Sequence, residues 1–296
     1  MMRDNLMSSL ASNRRNQLAG RAAVNLFFYV LLILVGLAFL LPFLWMLSAS
    51  LKSVAEIFSF PPKWFPRVRR WSNYTDIFFV MPFGRFVFNS FKVSLLSTAG
   101  VVLSSALAAF AFARLRFPGR NLIFALLLST LMLPGEVTLI PIFFVMRALG
   151  VINTHIPLYL PDFFGNPFGT FLLRQFFLTV PQELEDAAAM DGAGPFTIFG
   201  RIFLPLAKPA LATLAVLTFM WRWEELIRPV IYLGSREKMT LTVGLTGYFA
   251  EFGGGEIFRW DLLMAGSVVS IIPILVLFVI GQRFFIQGIT MTGIKG

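Results

Sequence analysis

The 296-residue chain contains no cysteine and a single histidine, His155. Disulfides, iron–sulfur clusters, zinc sites of the Cys/His type, thiol nucleophiles and Ser-His-Asp triads therefore lack their parts. His155, in a loop or at a helix end, is expected to be a solvated or interfacial residue. None of the lysines (Lys52, Lys63, Lys92, Lys208, Lys238, Lys295) follows a glycine, which removes the phosphate-cradling GK[ST] ending and ATP hydrolysis by that route. The one gathering of acids, Glu183, Glu185, Asp186 and Asp191, has no metal-ligand spacing. No catalytic residue and no metal site is assigned. Charge is scarce too, at 14% of residues against about 25% in an ordinary soluble domain.

Apolar residues fill the space, at 57% of the chain and with 35 phenylalanines, and the mean hydropathy is +0.77. Such a surface is soluble in a bilayer, not in water. Residues 22–51 form a run of 30 without a charge, long enough for a helical crossing and far longer than a transmembrane strand needs. The net charge of +10 is scattered over segment ends; anionic lipid headgroups account for it, and no nucleic-acid groove is visible.

The sequence predicts an all-α, polytopic protein with six transmembrane helices. A basic tail, 1–21, with Arg3, Arg14, Arg15 and Arg21, precedes a first run too long for a secretory leader, so the run is expected to remain as an anchor with its N-terminus inside. Spans are predicted at 22–50, 86–113, 121–146, 152–177, 209–233 and 262–282, making a 22–285 membrane domain with a short cytoplasmic tail, 286–296. Small residues along the second span (Ser97, Ala99, Gly100, Ser104, Ser105, Ala106, Ala108, Ala109) mark a helix-packing face. The third span is interrupted at Pro134, Gly135 and Glu136, and the fourth at Pro161, Asp162, Gly165 and Pro167. Such breaks need cover from protein or a water-filled path.

The loop 180–209 carries its own helix signals. Pro181 suits a first turn, Glu183, Glu185 and Asp186 face the positive end of the helix dipole, and Gly192, Gly194 and Pro195 end it. A second short helix, 196–204, is expected to stop at Pro205. This loop resembles the EAA loop of the permeases of ABC importers: Ala187, Ala188, Asp191, Gly192, Ile202, Leu204 and Pro205 occupy the matching places, with Asp186 where glutamate is usual. GTFLLRQFF (169–177), WEELIRP (223–229, with Glu224 in place of the usual Asn) and the ending QRFFIQGITMTGIKG (282–296) are similar to the carbohydrate-uptake branch, the shorter maltose-type subunit in particular.

The resemblance implies a type I importer permease in a bacterial or archaeal cytoplasmic membrane. It implies a second, homologous permease, an ATPase dimer that binds the ATP and Mg this chain does not, and an extracytoplasmic sugar-binding protein. The coupling helix would contact the ATPase through Glu185, Asp186, Ala187, Ala188, Asp191, Gly192, Ala193, Leu204 and Pro205.

Charges within spans are costly, about 2.5–3.5 kcal/mol at helix centre. Arg222 with Glu225 and Glu224 with Arg228 are expected to pair along one helix, either structurally or at a gate. Glu136 and Asp162 either cap freed backbone or, with Asn166, Trp223 and Glu225, line the substrate path. Two other classes fit an apolar chain: an integral membrane enzyme acting on lipid-linked sugars, and an autonomous ion-coupled carrier. Either would work unaided once reconstituted, whereas a permease would be silent without its ATPase.

Overall fold

A computed structural model describes residues 2–252 and 258–292, with side chains over 24–247 and 258–282. All regular structure among the described residues is helical. The basic tail continues helix α1 (Met2–Ala49), and the C-terminal tail as far as Thr292 continues the last helix. The side chains of both tails, and residues 293–296, lie outside the described residues. Pro42 sits inside α1 without ending it. Leu26, Phe27, Leu32 and Phe39 are exposed along its length, a surface that lipid covers.

The loop after α1 is anchored back to the end of that helix. Asn73 donates to the carbonyls of Ser50 (2.9 Å) and Lys52 (3.1 Å), and the Lys52 ammonium stands 4.3 Å from the centre of the Trp45 ring. Burial pushes the Lys52 ammonium below its usual range, against the pull of Glu56. His155 is half-buried, and its Nε2 meets the Lys238 carbonyl at 2.8 Å.

The central helix is α2 (Phe83–Arg114). The small-residue face does what its composition suggests: Ser97, Ser105, Ala106 and Ala109 are buried. After α2 come α3 (Arg120–Ser129) and α4 (Gly135–Ala148), which meet at a 105° bend. The break at Pro134 and Gly135 is therefore real, and it redirects the chain instead of kinking one span. The predicted fourth span is not one continuous helix. Pro157, Pro161 and Pro167 divide it into a turn at Ile156–Tyr159, a 3₁₀ turn at Leu160–Phe163 and α5 (Pro167–Thr179), because proline removes a ladder donor and clashes with the preceding turn.

The segment after α5 holds α6 (Gln182–Met190) and a bent run through Pro195–Leu206 that turns by 76° into α7 (Lys208–Glu224). Pro205 lies within that run and does not stop it; the turn comes at Ala207. The predicted fifth span also breaks, at Glu225, before α8 (Ile227–Tyr232). Two helices complete the chain, α9 (Leu241–Phe252) and α10 (Trp260–Thr292). By length and composition three helices among the described residues qualify as spans, or up to five if each bent pair counts as one.

α2, α5 and α7 pack around Val101, Ala109, Phe110, Leu173, Phe177, Phe203 and Leu214. Gly169 of α5 sets the approach: a Cβ there would lie 2.4 Å from Ser105 Oγ and 2.9 Å from Leu214 Cδ2. Small residues permit such contact where lipid supplies no hydrophobic drive. Gly169→Val is expected to destabilise the solubilised chain by about 1–3 kcal/mol, the cost of overpacking a filled interior. An unchanged thermal midpoint would contradict this.

Candidate functional site

α6 begins at Pro181, whose extended backbone is followed by Gln182 as the first helical residue. It ends on Gly192, with φ of +82°, and Gly192 N–H and Ala193 N–H donate to Ala189 O (3.0 Å) and Ala188 O (2.9 Å). This is the left-handed C-terminal cap that glycine makes inexpensive. The helix splits the predicted coupling residues into two faces. Glu185, Ala188 and Ala193 turn inward and are part-buried, while Asp186, Ala187, Asp191 and Gly192 are exposed, beside Met190 at 84% exposure. Leu204 is part-buried and Pro205 exposed.

The inward face is held by a residue the sequence reading missed, Arg114. Its guanidinium donates to Phe177 O (2.6 Å) and Val180 O at the end of α5. It stands 3.6 Å from the Glu185 carboxylate and 5.0 Å from the centre of the Phe203 ring. One side chain, 9% exposed, thus ties the end of α2 to α5, α6 and the segment after α6. A signal was present: Arg114 ends a charge-free run and falls at the same depth as the acids of the loop.

The second charged group lies where α7 breaks. Asp162, 6% exposed in its 3₁₀ turn, accepts from Arg222 at 2.5 Å. Arg222 also reaches Glu225 (3.2 Å), and Arg228 donates to both oxygens of Glu225, at 2.7 Å to Oε2, and to Leu158 O (3.3 Å). The predicted Arg222–Glu225 pair forms. The predicted Glu224–Arg228 pair does not, because helical i,i+4 spacing ends at Glu224 and Arg228 belongs to the next helix; Glu224 makes no ion pair among the described residues. Ser104 adds a bond to the Asp162 carbonyl at 2.9 Å, so the group locks the interrupted fourth region to α2 and α7.

The other candidate path residues are not brought to this group. Glu136 is exposed in the first turn of α4. Asn166 caps α5, its Oδ1 accepting from Gly169 N–H at 2.7 Å. Trp223 is buried, stacked on Phe219, and its indole N–H donates to Ser270 O at 3.0 Å.

The chain is thus an apolar helical protein with bent helix pairs and an amphipathic helix held on one face and bare on the other. The chain belongs to the family described as binding-protein-dependent transport system inner membrane component, whose profile matches residues 100–291. It is thus a transport subunit of the inner membrane and not an enzyme. It is similar to the sulfoquinovosyl glycerol transport system permease protein SmoH of Agrobacterium fabrum, at 37% identity over 87% of this chain and 89% of that one. It is also similar to the arabinooligosaccharides transport system permease protein AraQ of Bacillus subtilis, at 34% over 93% and 96%. Among solved structures, a chain of a bacterial ABC transporter involved in the import of the acidic polysaccharide alginate superposes with a TM-score of 0.79 at 25% identity, covering 88% of this chain and 96% of that one.

Proposed function

We propose that this chain is one of two homologous permease subunits of an ATP-driven sugar importer, that α6 is its coupling helix, and that an extracytoplasmic binding protein delivers the solute. ATP and Mg belong to the ATPase dimer. The observation that carries the reading is the two-faced α6: Glu185 and Ala188 hold it to the membrane domain while Asp186, Ala187, Met190, Asp191 and Gly192 stay bare. A helix that only linked two spans would have no use for a rigid anchor behind an exposed alanine and glycine surface. The names of the relatives, which speak of arabinooligosaccharides and a sulfoquinovosyl glycerol, support a carbohydrate or carbohydrate-like solute.

In this mechanism closure of the ATPase pair displaces α6, and Arg114 passes the movement to α2 and α5. The solute path opens to the other side because the ATPase contacts differ between the two states. Glu136 remains a path residue in this proposal; Asp162 and Glu225 act on the path's wall by holding Arg222 and Arg228.

Gly192→Leu tests the coupling surface. Leucine is strained at a φ of +82°, and its bulk spoils a close-seating face. Membrane insertion should be normal, while co-purification of the ATPase falls on the order of tenfold or more, the effect of losing one central contact at a protein interface. Full assembly with normal sugar-stimulated ATPase activity would refute the reading.

A further inference from the structure

Where α7 breaks, α9 and α10 leave an open cavity of about 350 Å³ against it. Its polar wall is Trp223 and Glu224 from α7, Thr242 and Thr246 from α9, and Ser267 and Ser270 from α10, set among leucine and isoleucine side chains. What matters is where the hydrogens on that wall point. The Trp223 indole N–H goes to Ser270 O (3.0 Å) and the Thr242 hydroxyl to Trp223 O (3.1 Å). The Thr246 hydroxyl donates to Thr242 O, and that of Ser270 to Ser267 O at 2.7 Å. A hydroxyl has one hydrogen and two lone pairs, and an ionised carboxylate only accepts. Three hydroxyls and Glu224 therefore face the cavity as acceptors, leaving Ser267 as the one polar side chain among the described lining residues with a hydrogen to give.

Among the described residues no cation lines the cavity. The nearby guanidiniums of Arg222 and Arg228 are turned to Asp162 and Glu225. Glu224 is exposed and makes no ion pair among the described residues, and a bare carboxylate on a span cannot rest against lipid cheaply. Its wall of acceptors needs a partner with many donors.

We propose that this cavity is a recognition subsite for a neutral, hydroxyl-rich saccharide unit, and that it rejects anionic solutes. The inference rests on the permease reading above and adds the charge class of the solute. Ring hydroxyls supply the O–H donors that Glu224, Thr242, Thr246 and Ser270 lack. A phosphate, carboxylate or sulfonate would bring only further acceptors next to Glu224, unpaired in a medium of low dielectric. The volume sits at the small end of ligand pockets, with room for about one or two sugar rings.

The absence of cysteine makes the test direct. Ser267→Cys places the chain's one thiol on the wall, in the assembled importer in proteoliposomes, and its modification is read by mass on this chain. A cationic methanethiosulfonate should react about tenfold faster than an anionic one after correction for intrinsic reactivity. Adding Glu224→Gln should bring that ratio to about one. Neutral arabinotriose or maltotriose should slow labelling about fivefold or more, as an occupant of the pocket would, and a uronic acid trimer should not. Thr246→Cys, on the opposite wall, should repeat the pattern if Ser267→Cys fails to assemble. Equal reaction with both reagents, no reaction at either position, protection by the uronate, or no protection by either neutral sugar would each overturn the proposal. ATPase stimulation in the unaltered importer separates the two levels: present, only the subsite falls; absent, the permease reading falls with it.

Discussion

Asp162→Ala lowers the stability of the solubilised chain by about 3–5 kcal/mol, because it leaves the part-buried Arg222 with half its partners gone. For a chain of this size the thermal midpoint should drop on the order of 5–10 °C. Arg222 is 20% exposed by side chain and Asp162 only 7%, so solvent cannot substitute for the lost carboxylate. Asp162→Asn should cost less, since the amide oxygen still accepts from Arg222 at the same place. The double replacement Asp162→Leu with Arg222→Leu removes one charge of each sign and leaves the Glu225–Arg228 pair intact. It should recover most of the loss, as apolar replacement of whole buried pairs does. A single variant as stable as the wild type would mean that the Asp162–Arg222 contact is not formed in the bilayer.

Arg114→Ala leaves the chain inserted and uncouples it. Two charge-assisted hydrogen bonds to Phe177 O and Val180 O are lost, each worth about 1.5–3 kcal/mol where a charged donor is involved, and α6 loses its inward tether. Basal hydrolysis by the ATPase should persist, while its stimulation by the loaded binding protein falls roughly 10- to 100-fold, the equivalent of about 1.4–2.8 kcal/mol of coupling. Glu185→Gln should do far less, under about threefold, since the Arg114–Glu185 contact of 3.6 Å is a partly exposed ion pair of modest strength. Arg114→Lys restores the charge but not the fork that spans two carbonyls, and should recover only part. Full stimulation in Arg114→Ala would show that movement enters the membrane domain by another route.

The candidate site was legible where its chemistry is local. Pro181, Glu183, Gly192 and Pro195 are signals read within a few residues, and α6 lies where they place it. The breaks at Pro134 and Pro161 were legible for the same reason. The break at Glu225 had a quieter signal, Pro229, which lacks the N–H that would reach the Glu225 carbonyl and whose ring clashes with it four residues back, away from the helix end itself. Because it was missed, Glu224 was assigned the partner that Glu225 takes. Nothing in the sequence around Arg114 points to its partner; only folding brings it to Glu185, 71 positions later.

Composition and short-range pattern alone determined that this chain lives in a bilayer, is helical, breaks its spans at proline and glycine, and offers a short capped helix between two of them. Burial in lipid and backbone sterics act over neighbouring residues, so the order of residues is enough to decide them. Tertiary structure decided which arginine meets which acid, which face of α6 is anchored and which is bare, and that the hydrogens around Glu224 point away from the cavity. Those outcomes depend on the direction each bend gives the chain after it, an angle that distant packing sets and that no local window of sequence contains.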